Sequence, residues 1–259
     1  MHRRSSSVKT AWRAALLLLC VQGALGCAGL HTRFVRSNLE IHEFEIESTK
    51  AYLVTQASTT VLIDSGYERN APRLDQELRK AGFDPAALRA IILTHGHADH
   101  AGGARYFQQR YHINVIAGDG DRTMLGQGSN EPLCPTGVLG RLRRGRDQSA
   151  SYTPLSADTW VSAPLDLKAL AGIDGRIIPL PGHTSGSLAV VVGDAVFAGD
   201  LFRGGIVGSS AETHLYMCNV EGNRRDIARL LNELAPAAAM FFVGHFGPVP
   251  REKVAARFH

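Results

Sequence analysis

The chain has 259 residues, with 28 Lys and Arg against 24 Asp and Glu and a formal net charge of +4. Four of the basic residues fall within positions 1–26, so the remainder is balanced at 24 basic against 24 acidic residues. This balance argues against a nucleic-acid partner held by overall charge. The length and the 44% content of hydrophobic residues are typical of one large domain with a substantial core.

Residues 1–27 predict a signal peptide. Basic residues precede a short apolar run at 14–21, which is too short to span a bilayer as a helix. The segment ends in Ala-Leu-Gly26-Cys27, which resembles a bacterial lipobox. Two outcomes remain open, lipidation of Cys27 and ordinary cleavage after Gly26. We therefore expect an exported protein, either periplasmic or attached to the membrane through a lipid on Cys27.

Two of the four cysteines lie within residues 1–27, and the other two lie further along the chain. Cys20 lies within the signal peptide, and Cys27 is the candidate for lipidation. Cys134 and Cys218 remain in the mature chain, and their spacing is not that of a metal site. In an oxidising compartment they can form a disulfide, and two separate buried thiols are the alternative.

The first half of the mature chain alternates strands with helices. Residues 39–47 alternate apolar and polar side chains, which predicts a half-exposed antiparallel strand. Further strands are predicted at 51–54 and 60–63, followed by an amphipathic helix at 70–81. The alternation continues to a strand at 113–116 and indicates a layered α/β fold.

Asp64 directly follows the strand at 60–63. It can be an ordinary turn residue at the surface, or it can orient a metal-ligating histidine by accepting its ring N–H. The second interpretation is the one we favour.

The run Thr-His95-Gly-His97-Ala-Asp99-His100 brings three imidazoles and a carboxylate together. Zinc and its first-row neighbours prefer these ligand types. The apolar segment 89–94 predicts a buried strand before the run, and a helix-like segment follows it. The run therefore lies at the carboxyl end of a strand, where open α/β sheets bind ligands. A histidine-rich polar loop without a metal is the alternative.

Residues 118–158 break the alternation. They are rich in Gly, Arg, Ser and Pro without sustained periodicity, which predicts a long irregular insertion acting as a lid or mobile loop. Four arginines within it, Arg141, Arg143, Arg144 and Arg146, can form a solvated surface or bind an anionic substrate. The solvated surface is favoured, and the arginines lack the interleaved aromatic residues that single-stranded nucleic acid would use.

Strands and helices return in the last third of the chain. Strands are predicted at 176–180, 188–192, 195–198 and 239–243, with a helix at 223–234. Ionisable residues follow separate strand ends along the whole chain, namely Asp64, His95 to His100, His183, Asp200 and His245. Convergence of these strand ends at one edge of a sheet is the simplest explanation.

This pattern resembles the metallo-β-lactamase superfamily over essentially all of residues 28–259. The candidate residues occur in the surroundings LIDSG, LTHGHADHAGG, PGHTSGS, AGD and VGHFG, in that order. The resemblance implies one domain with a four-layer αβ/βα sandwich, interrupted by the insertion at about 118–158.

The resemblance also implies a ligand set for two divalent metal ions, with zinc expected and iron or manganese as alternatives. One ion would be held by His95, His97 and His183, and the other by Asp99, His100 and His245. Asp200 would bridge the two ions.

Hydrolysis is the activity that the resemblance implies. Two ions that share a water lower its pKa and give a hydroxide nucleophile for an ester, thioester, lactone or amide bond of a small-molecule substrate. Asp99 would also orient the nucleophile or take its proton. A bridging carboxylate such as Asp200 resembles hydroxyacylglutathione hydrolases and lactonases.

Three other functions remain as alternatives. A periplasmic zinc β-lactamase suits an exported protein but generally lacks the bridging Asp. A persulfide dioxygenase uses a subset of these ligands for a single iron, and a non-catalytic metal-binding lipoprotein would be expected to have lost ligands. A phosphodiesterase or nuclease is disfavoured because the additional domains of those branches are missing. His214 and Tyr216 can line the pocket or lie at the surface; the substrate and oligomeric state are not predicted.

Overall fold

The computed structural model describes residues 30–36, 38–207 and 209–258. The predicted signal peptide at 1–27, including Cys27, lies outside the described residues. None of the helices in these ranges is long and apolar enough to cross a membrane.

The first sheet contains seven strands in sequence order. β1 to β4 form an antiparallel meander, and β4 to β7 run parallel because helices connect them. The strands are β1 (Leu30–Arg36), β2 (Leu39–Ile46), β3 (Thr49–Gln56), β4 (Thr59–Ile63), β5 (Ile91–Ile92), β6 (Val115–Gly118) and β7 (Thr159–Val161). The connecting helices are α1 (Ala71–Lys80), α2 (Ala98–Ala101), α3 (Ala104–Tyr111), α4 (Arg122–Gln127) and α5 (Val138–Gln148).

The second sheet contains six strands from the second half of the chain, in the order β15-β14-β11-β10-β9-β8. Its strands are β8 (Leu165–Asp166), β9 (Gly175–Pro179), β10 (Leu188–Val192), β11 (Ala195–Gly199), β14 (Met240–Val243) and β15 (Val249–Pro250). A separate hairpin joins β12 (Arg203–Gly204) to β13 (Ala211–Glu212). The helices of this half are α6 (Leu167–Ala171), α7 (Val220–Arg229), which continues into a π-helical turn at Leu230–Leu234, and α8 (Arg251–Phe258).

Three hydrophobic clusters define four layers. The central cluster lies between the two sheets, where the rings of Tyr52, Phe197 and Phe242 pack with centroids 5.1–5.5 Å apart. An outer cluster packs α1 and α3 on the first sheet, and another packs α7 and α8 on the second. Each of these four helices presents one apolar stripe to its sheet. The predicted αβ/βα sandwich is confirmed.

Several predicted elements match the structure closely, and two do not. The helix predicted at 70–81 is α1, but the strand predicted at 89–94 is reduced to Ile91–Ile92. The strand predicted as half-exposed at 39–47 is β2, which is largely buried on both faces. Its Glu43 is buried because it pairs with the equally buried Lys50 on β3, at 2.5 Å.

The prediction of an irregular segment at 118–158 is wrong in part, because α4 and α5 form within it. α5 carries only three large apolar side chains, Val138, Leu139 and Leu142, so no sustained helical period marks it in the sequence. These side chains are exposed to solvent. Val138 is 70% exposed and Leu142 is 79% exposed. The only buried residue of α5 is Gly140, whose lack of a side chain allows the helix to approach the carbonyl of Leu215.

Cys134 and Cys218 form a disulfide, which was one of the two possibilities. Backbone hydrogen bonds reinforce the connection, since the amide of Met217 donates to the carbonyl of Cys134 at 2.8 Å. The disulfide therefore fastens the segment before α5 to the loop between β13 and α7.

Candidate metal centre

The predicted site residues all lie at one edge of the two facing sheets. Asp64 follows β4, the run from His95 to His100 follows β5, His183 follows β9, Asp200 follows β11 and His245 follows β14. Ligand atoms within 4.8 Å of one another form groups that can hold a metal ion. These groups include His95 with His97 and His183, and also Asp99 with His100 and His245. The structure thus brings every predicted site residue together.

The first group consists of His95, His97 and His183. The three rings stand nearly perpendicular to one another, with centroids 4.7–4.9 Å apart. Burial lowers the pKa of His95 and of His183 well below the usual value, and it lowers the pKa of His97 to about 4. These imidazoles are therefore neutral near pH 7, which is the form that binds metal ions.

The second group consists of Asp99, His100 and His245. Nδ1 of His100 lies 2.8 Å from Asp64 Oδ2, and Nδ1 of His245 donates to the carbonyl of Ser48 at 2.5 Å. The partners of Nδ1 are both acceptors, so Nδ1 carries a proton in each ring. These two bonds fix the ring orientations, and Nε2 of each ring faces the carboxylate of Asp99. The Nε2–Oδ2 distances are 3.9 Å for His100 and 3.3 Å for His245.

Carboxylates around the second group favour positive charge there. Burial opposes protonation of His245, but Asp200 and Asp99 raise its pKa to about 10. The pKa of His100 is likewise raised, against the effect of burial, by Asp200, Asp64 and Asp99. The surrounding carboxylates therefore favour a positive charge at this group.

Asp200 lies between the two groups. Its Oδ2 is 3.9 Å from Nε2 of His95 and of His183, and 3.4 Å from Nε2 of His100 and of His245. Burial favours the neutral acid, but nearby histidines hold the pKa of Asp200 well below its usual range. An ionised carboxylate is therefore shared by both groups.

The donor set fits divalent cations. Among the buried side-chain atoms that have no hydrogen-bond partner are Nε2 of His95, His97 and His100, and Oδ1 of Asp200. Each unsatisfied buried group costs about 1–3 kcal/mol, so a cluster of lone pairs is stable only when something binds to them. Gly244 keeps the space open, because a Cβ there would overlap Asp200 Oδ1 and the ring of His100.

Asp64 is not at the surface. It is 1% exposed, and its backbone adopts a left-handed conformation with φ of 59°. Its carboxylate accepts hydrogen bonds from the amide and the hydroxyl of Thr94, both at 2.7 Å, besides its contact with His100. Asp64 thus fixes the orientation of one imidazole in the second group.

The turn between β2 and β3 is part of the site, which the sequence did not indicate. Ser48 accepts the hydrogen bond from His245, and the hydroxyl of Thr49 donates to Asp99 Oδ2 at 3.4 Å. Lys50 donates from its backbone amide to the carbonyl of Gly244 at 3.0 Å, and from Nζ to the carbonyl of Gly247 at 2.7 Å. No local signal marks these residues, because their partners lie far away in sequence.

Asp121 is a second buried carboxylate next to the site. It accepts hydrogen bonds from the amide of Gly96 at 2.7 Å, the hydroxyl of Thr184 at 2.8 Å and the amide of Gly186 at 2.8 Å. These bonds join the loop of His95 and His97 to the loop of His183. Asp121 holds backbone in place and makes no hydrogen bond to an imidazole.

A cavity of about 710 Å³, including its open mouth, leads to the two groups. His97, Asp99, Asp200 and His245 lie at its base. His214 and Tyr216 also line it, so the pocket position is the correct one of their two interpretations, and Nε2 of His214 lies 3.1 Å from Asp200 Oδ2. Of the four arginines on α5, Arg143 lines the cavity, and the other three are exposed.

The fold and this constellation define a class of protein. The family description of the metallo-β-lactamase superfamily matches residues 46–245, which include every candidate ligand. The chain therefore belongs to the metallo-β-lactamase superfamily, and the resemblance seen in its motifs is confirmed.

Curated relatives extend this assignment. The chain is 29% identical to hydroxyacylglutathione hydrolase GloC of Haemophilus influenzae over 148 residues, which are 56% of this chain and 62% of that protein. It is also 29% identical to the probable metallo-hydrolase YqgX of Bacillus subtilis over 173 residues, covering 64% of this chain and 74% of the relative. The match thus spans less than two thirds of the Haemophilus protein. The family and these relatives identify the chain as an enzyme.

Solved structures support the fold. A metallo-β-lactamase with a HARLDQ motif from Cronobacter sakazakii superposes with a TM-score of 0.58 at 23% identity, covering 79% of this chain and 74% of that one. At this identity the likeness shows the fold alone.

Proposed function

We propose that the chain is a dinuclear metal-dependent hydrolase that cleaves an ester, thioester, lactone or amide bond of a small molecule. One observation carries the proposal: two three-residue groups of ligand atoms lie on either side of the Asp200 carboxylate, and three of their imidazoles have a buried Nε2 without a hydrogen-bond partner, namely His95, His97 and His100. His95, His97 and His183 would hold one ion, and Asp99, His100 and His245 the other. Zinc fits these nitrogen and oxygen ligands, with iron and manganese as alternatives.

The metal ions, when bound, supply Lewis-acid polarisation of the scissile carbonyl and a water of lowered pKa. The chain positions the reacting groups around them. Asp64 and the carbonyl of Ser48 fix the ring orientations of His100 and His245. The carboxylate of Asp99 is 19% exposed and faces the cavity, so it can accept a proton from the attacking water.

The bridging position of Asp200 favours this function over that of a β-lactamase. Two of the curated relatives named above are a hydroxyacylglutathione hydrolase and a probable metallo-hydrolase. The β-lactamase neighbour, in contrast, supports the fold alone. Thioesters, esters and lactones are therefore the first substrates to assay, and β-lactams are the comparison.

Metal content per chain, measured by elemental mass spectrometry, tests the proposal. We expect close to two ions per chain, together with hydrolysis of at least one compound in a panel of thioesters, esters, lactones and amides. His97→Ala and Asp200→Asn should each lose metal and activity while they keep the folded circular-dichroism spectrum. Asp194→Asn, at the exposed turn between β10 and β11, is the matched control and should behave like the wild type.

Two results would contradict the assignment. One iron per chain with oxygen uptake on thiol persulfides would indicate a dioxygenase instead. Bound metal without hydrolysis of any compound would favour a metal-binding lipoprotein.

We also propose that the protein is exported and attached to the membrane through Cys27. The lipobox-like sequence and the disulfide between Cys134 and Cys218 support this proposal, because structural disulfides persist in oxidising compartments. Incorporation of labelled palmitate into the wild type and its loss in Cys27→Ser would be the expected result. A soluble, unlabelled wild-type protein in the periplasmic fraction would refute lipidation but not export.

A further inference from the structure

Part of the wall of the cavity above the metal-binding groups is apolar. Five aliphatic or phenyl side chains line it in addition to Tyr67 and the site residues: Leu133, Leu139, Ile206, Leu215 and Phe246. They come from three separate parts of the chain, the region of α5, the hairpin of β12 and β13 with the loop after it, and the loop after β14. A substrate that reaches the base of the cavity therefore passes along hydrocarbon surface.

The apolar surface continues outside the cavity. Seven large hydrophobic side chains are exposed in the described part of the chain, and six of them lie on α5, on the 206–207 segment or at Phe246. Val207 is 89% exposed and Ile206 is 62% exposed. The seventh is Val35 on β1, which does not line the cavity. Exposed apolar side chains gathered around one opening mark a binding surface.

The wall is held in place by the rest of the protein. Tyr216 donates from its hydroxyl to Asp147 of α5 at 2.6 Å, and the side-chain amide of Asn130 donates to the Asp147 carbonyl at 2.9 Å. The disulfide between Cys134 and Cys218 fastens the chain immediately before α5. The apolar face is thus presented by an anchored helix, so a ligand would meet a preformed surface.

Two arginines, Arg143 and Arg203, also line the cavity. The guanidinium of Arg143 is neutralised by Asp147, with Nε 3.2 Å from Oδ2. Arg203, the other arginine in the lining, donates from Nη1 to the carbonyl of Gly204 at 2.9 Å, and its buried Nε has no hydrogen-bond partner among the described residues. Apart from Arg203, the cavity wall would recognise a ligand through burial of hydrocarbon.

From this wall we infer the substrate class, an inference that rests on the proposed hydrolase function. The substrate carries an extended hydrocarbon chain on its acyl group, which lies against Leu139, Ile206 and Phe246 while the scissile carbonyl reaches the metal-binding groups. Burial of each additional methylene should raise kcat/KM about three- to fourfold until the wall is covered.

A chain-length series tests this inference. Thioesters of one thiol, from acetyl to dodecanoyl, would be assayed with the metal-loaded protein, and kcat/KM should rise steadily with acyl length. Leu139→Ser and Ile206→Ser should each flatten the rise of kcat/KM with acyl length. Val35→Ser is the matched control, because it removes an exposed apolar side chain outside the cavity and should keep the wild-type slope.

A binding measurement gives a readout without catalysis. Calorimetric titration with straight-chain carboxylates, from butanoate to dodecanoate below their micellar concentrations, should show tighter binding with increasing length. The slope should be lost in Leu139→Ser and kept in Val35→Ser. If no thioester, ester, lactone or amide is hydrolysed but this pattern of binding is found, the hydrolase proposal fails and the hydrocarbon site stands.

Two outcomes would overturn the inference. Hydrolysis or binding that is independent of chain length would show that the wall does not recognise hydrocarbon. Binding of the protein to phosphatidylglycerol vesicles that is lost in Leu142→Ser, with the chain-length slopes equal in wild type and Leu139→Ser, would assign the exposed residues to a bilayer instead.

Discussion

Replacing Asp64 by Asn changes one buried group that touches the metal centre through a single imidazole. The carboxylate accepts hydrogen bonds from the amide and hydroxyl of Thr94 and from Nδ1 of His100. An amide has nearly the same shape, but its nitrogen only donates. In Asp64→Asn that nitrogen would face His100 Nδ1 and favour the tautomer that carries its proton on Nε2. That tautomer has no lone pair to offer the second ion.

The expected loss of metal affinity follows from this change in the tautomer of His100. Loss of the group that orients a ligating histidine typically costs 10- to 100-fold in metal affinity. This corresponds to about 1.4–2.7 kcal/mol of binding free energy. We expect the loss to fall mainly on the ion that Asp99, His100 and His245 would hold. Asp64 contacts His100 directly but reaches His95 only through the hydroxyl of Thr94, which lies 3.1 Å from His95 Nδ1.

Competition with a chromophoric chelator, fitted to two sites, measures both affinities in one titration. Asp64→Asn should weaken one site by the stated factor and leave the other within about twofold of the wild type. Asp75→Asn is the matched control, since Asp75 on α1 is also buried, accepts three side-chain hydrogen bonds and has no site residue among these partners. Wild-type affinity at both sites in Asp64→Asn would refute the orienting role.

Three further predictions concern stability and protons. The double variant Cys134→Ser/Cys218→Ser loses a cross-link between residues 84 apart, which is worth at most about 4.6 kcal/mol of unfolding free energy, measurable by guanidinium titration. Lys50→Met leaves Glu43 buried without its cation and should cost about 3–5 kcal/mol in the same assay, with Glu43→Gln in the Lys50→Met background restoring part of it. Because Asp200 and Asp99, against the effect of burial, raise the pKa of His245 to about 10, binding of an ion there at pH 7 should release a proton. Calorimetry in buffers of different ionisation enthalpy measures this release, and none would contradict the raised pKa.

The sequence was most informative where chemistry and local pattern coincide. The strand ends that carry Asp64, His183, Asp200 and His245 could be predicted because an apolar run stops one to three residues before each ionisable residue. The α/β layering could be predicted from the alternation of such strands with helices like α1, whose buried Leu74 and Leu78 recur at helical spacing.

The rest depends on contacts between distant segments. α5 was missed because it carries only three large apolar side chains and two glycines, so its helical pattern is too short to stand out in the sequence. The turn at Ser48 and Thr49 was missed because its partners His245 and Asp99 are 197 and 50 residues away. Glu43 is buried in a strand that was predicted as half-exposed, and its burial depends on where Lys50 lies on the neighbouring strand.

The two sheets are contiguous halves of the chain, residues 30–161 and 165–250, and this arrangement has a thermodynamic consequence. The first half supplies His95, His97, Asp99 and His100, and the second supplies His183, Asp200 and His245, so each of the two ligand sets proposed above draws on both halves. Each bound ion would therefore act as a cross-link between the halves. The free energy of unfolding would then increase with metal concentration by RT ln(1 + [M]/Kd) for each ion. Metal supply would therefore govern the stability of the folded protein as well as its catalysis.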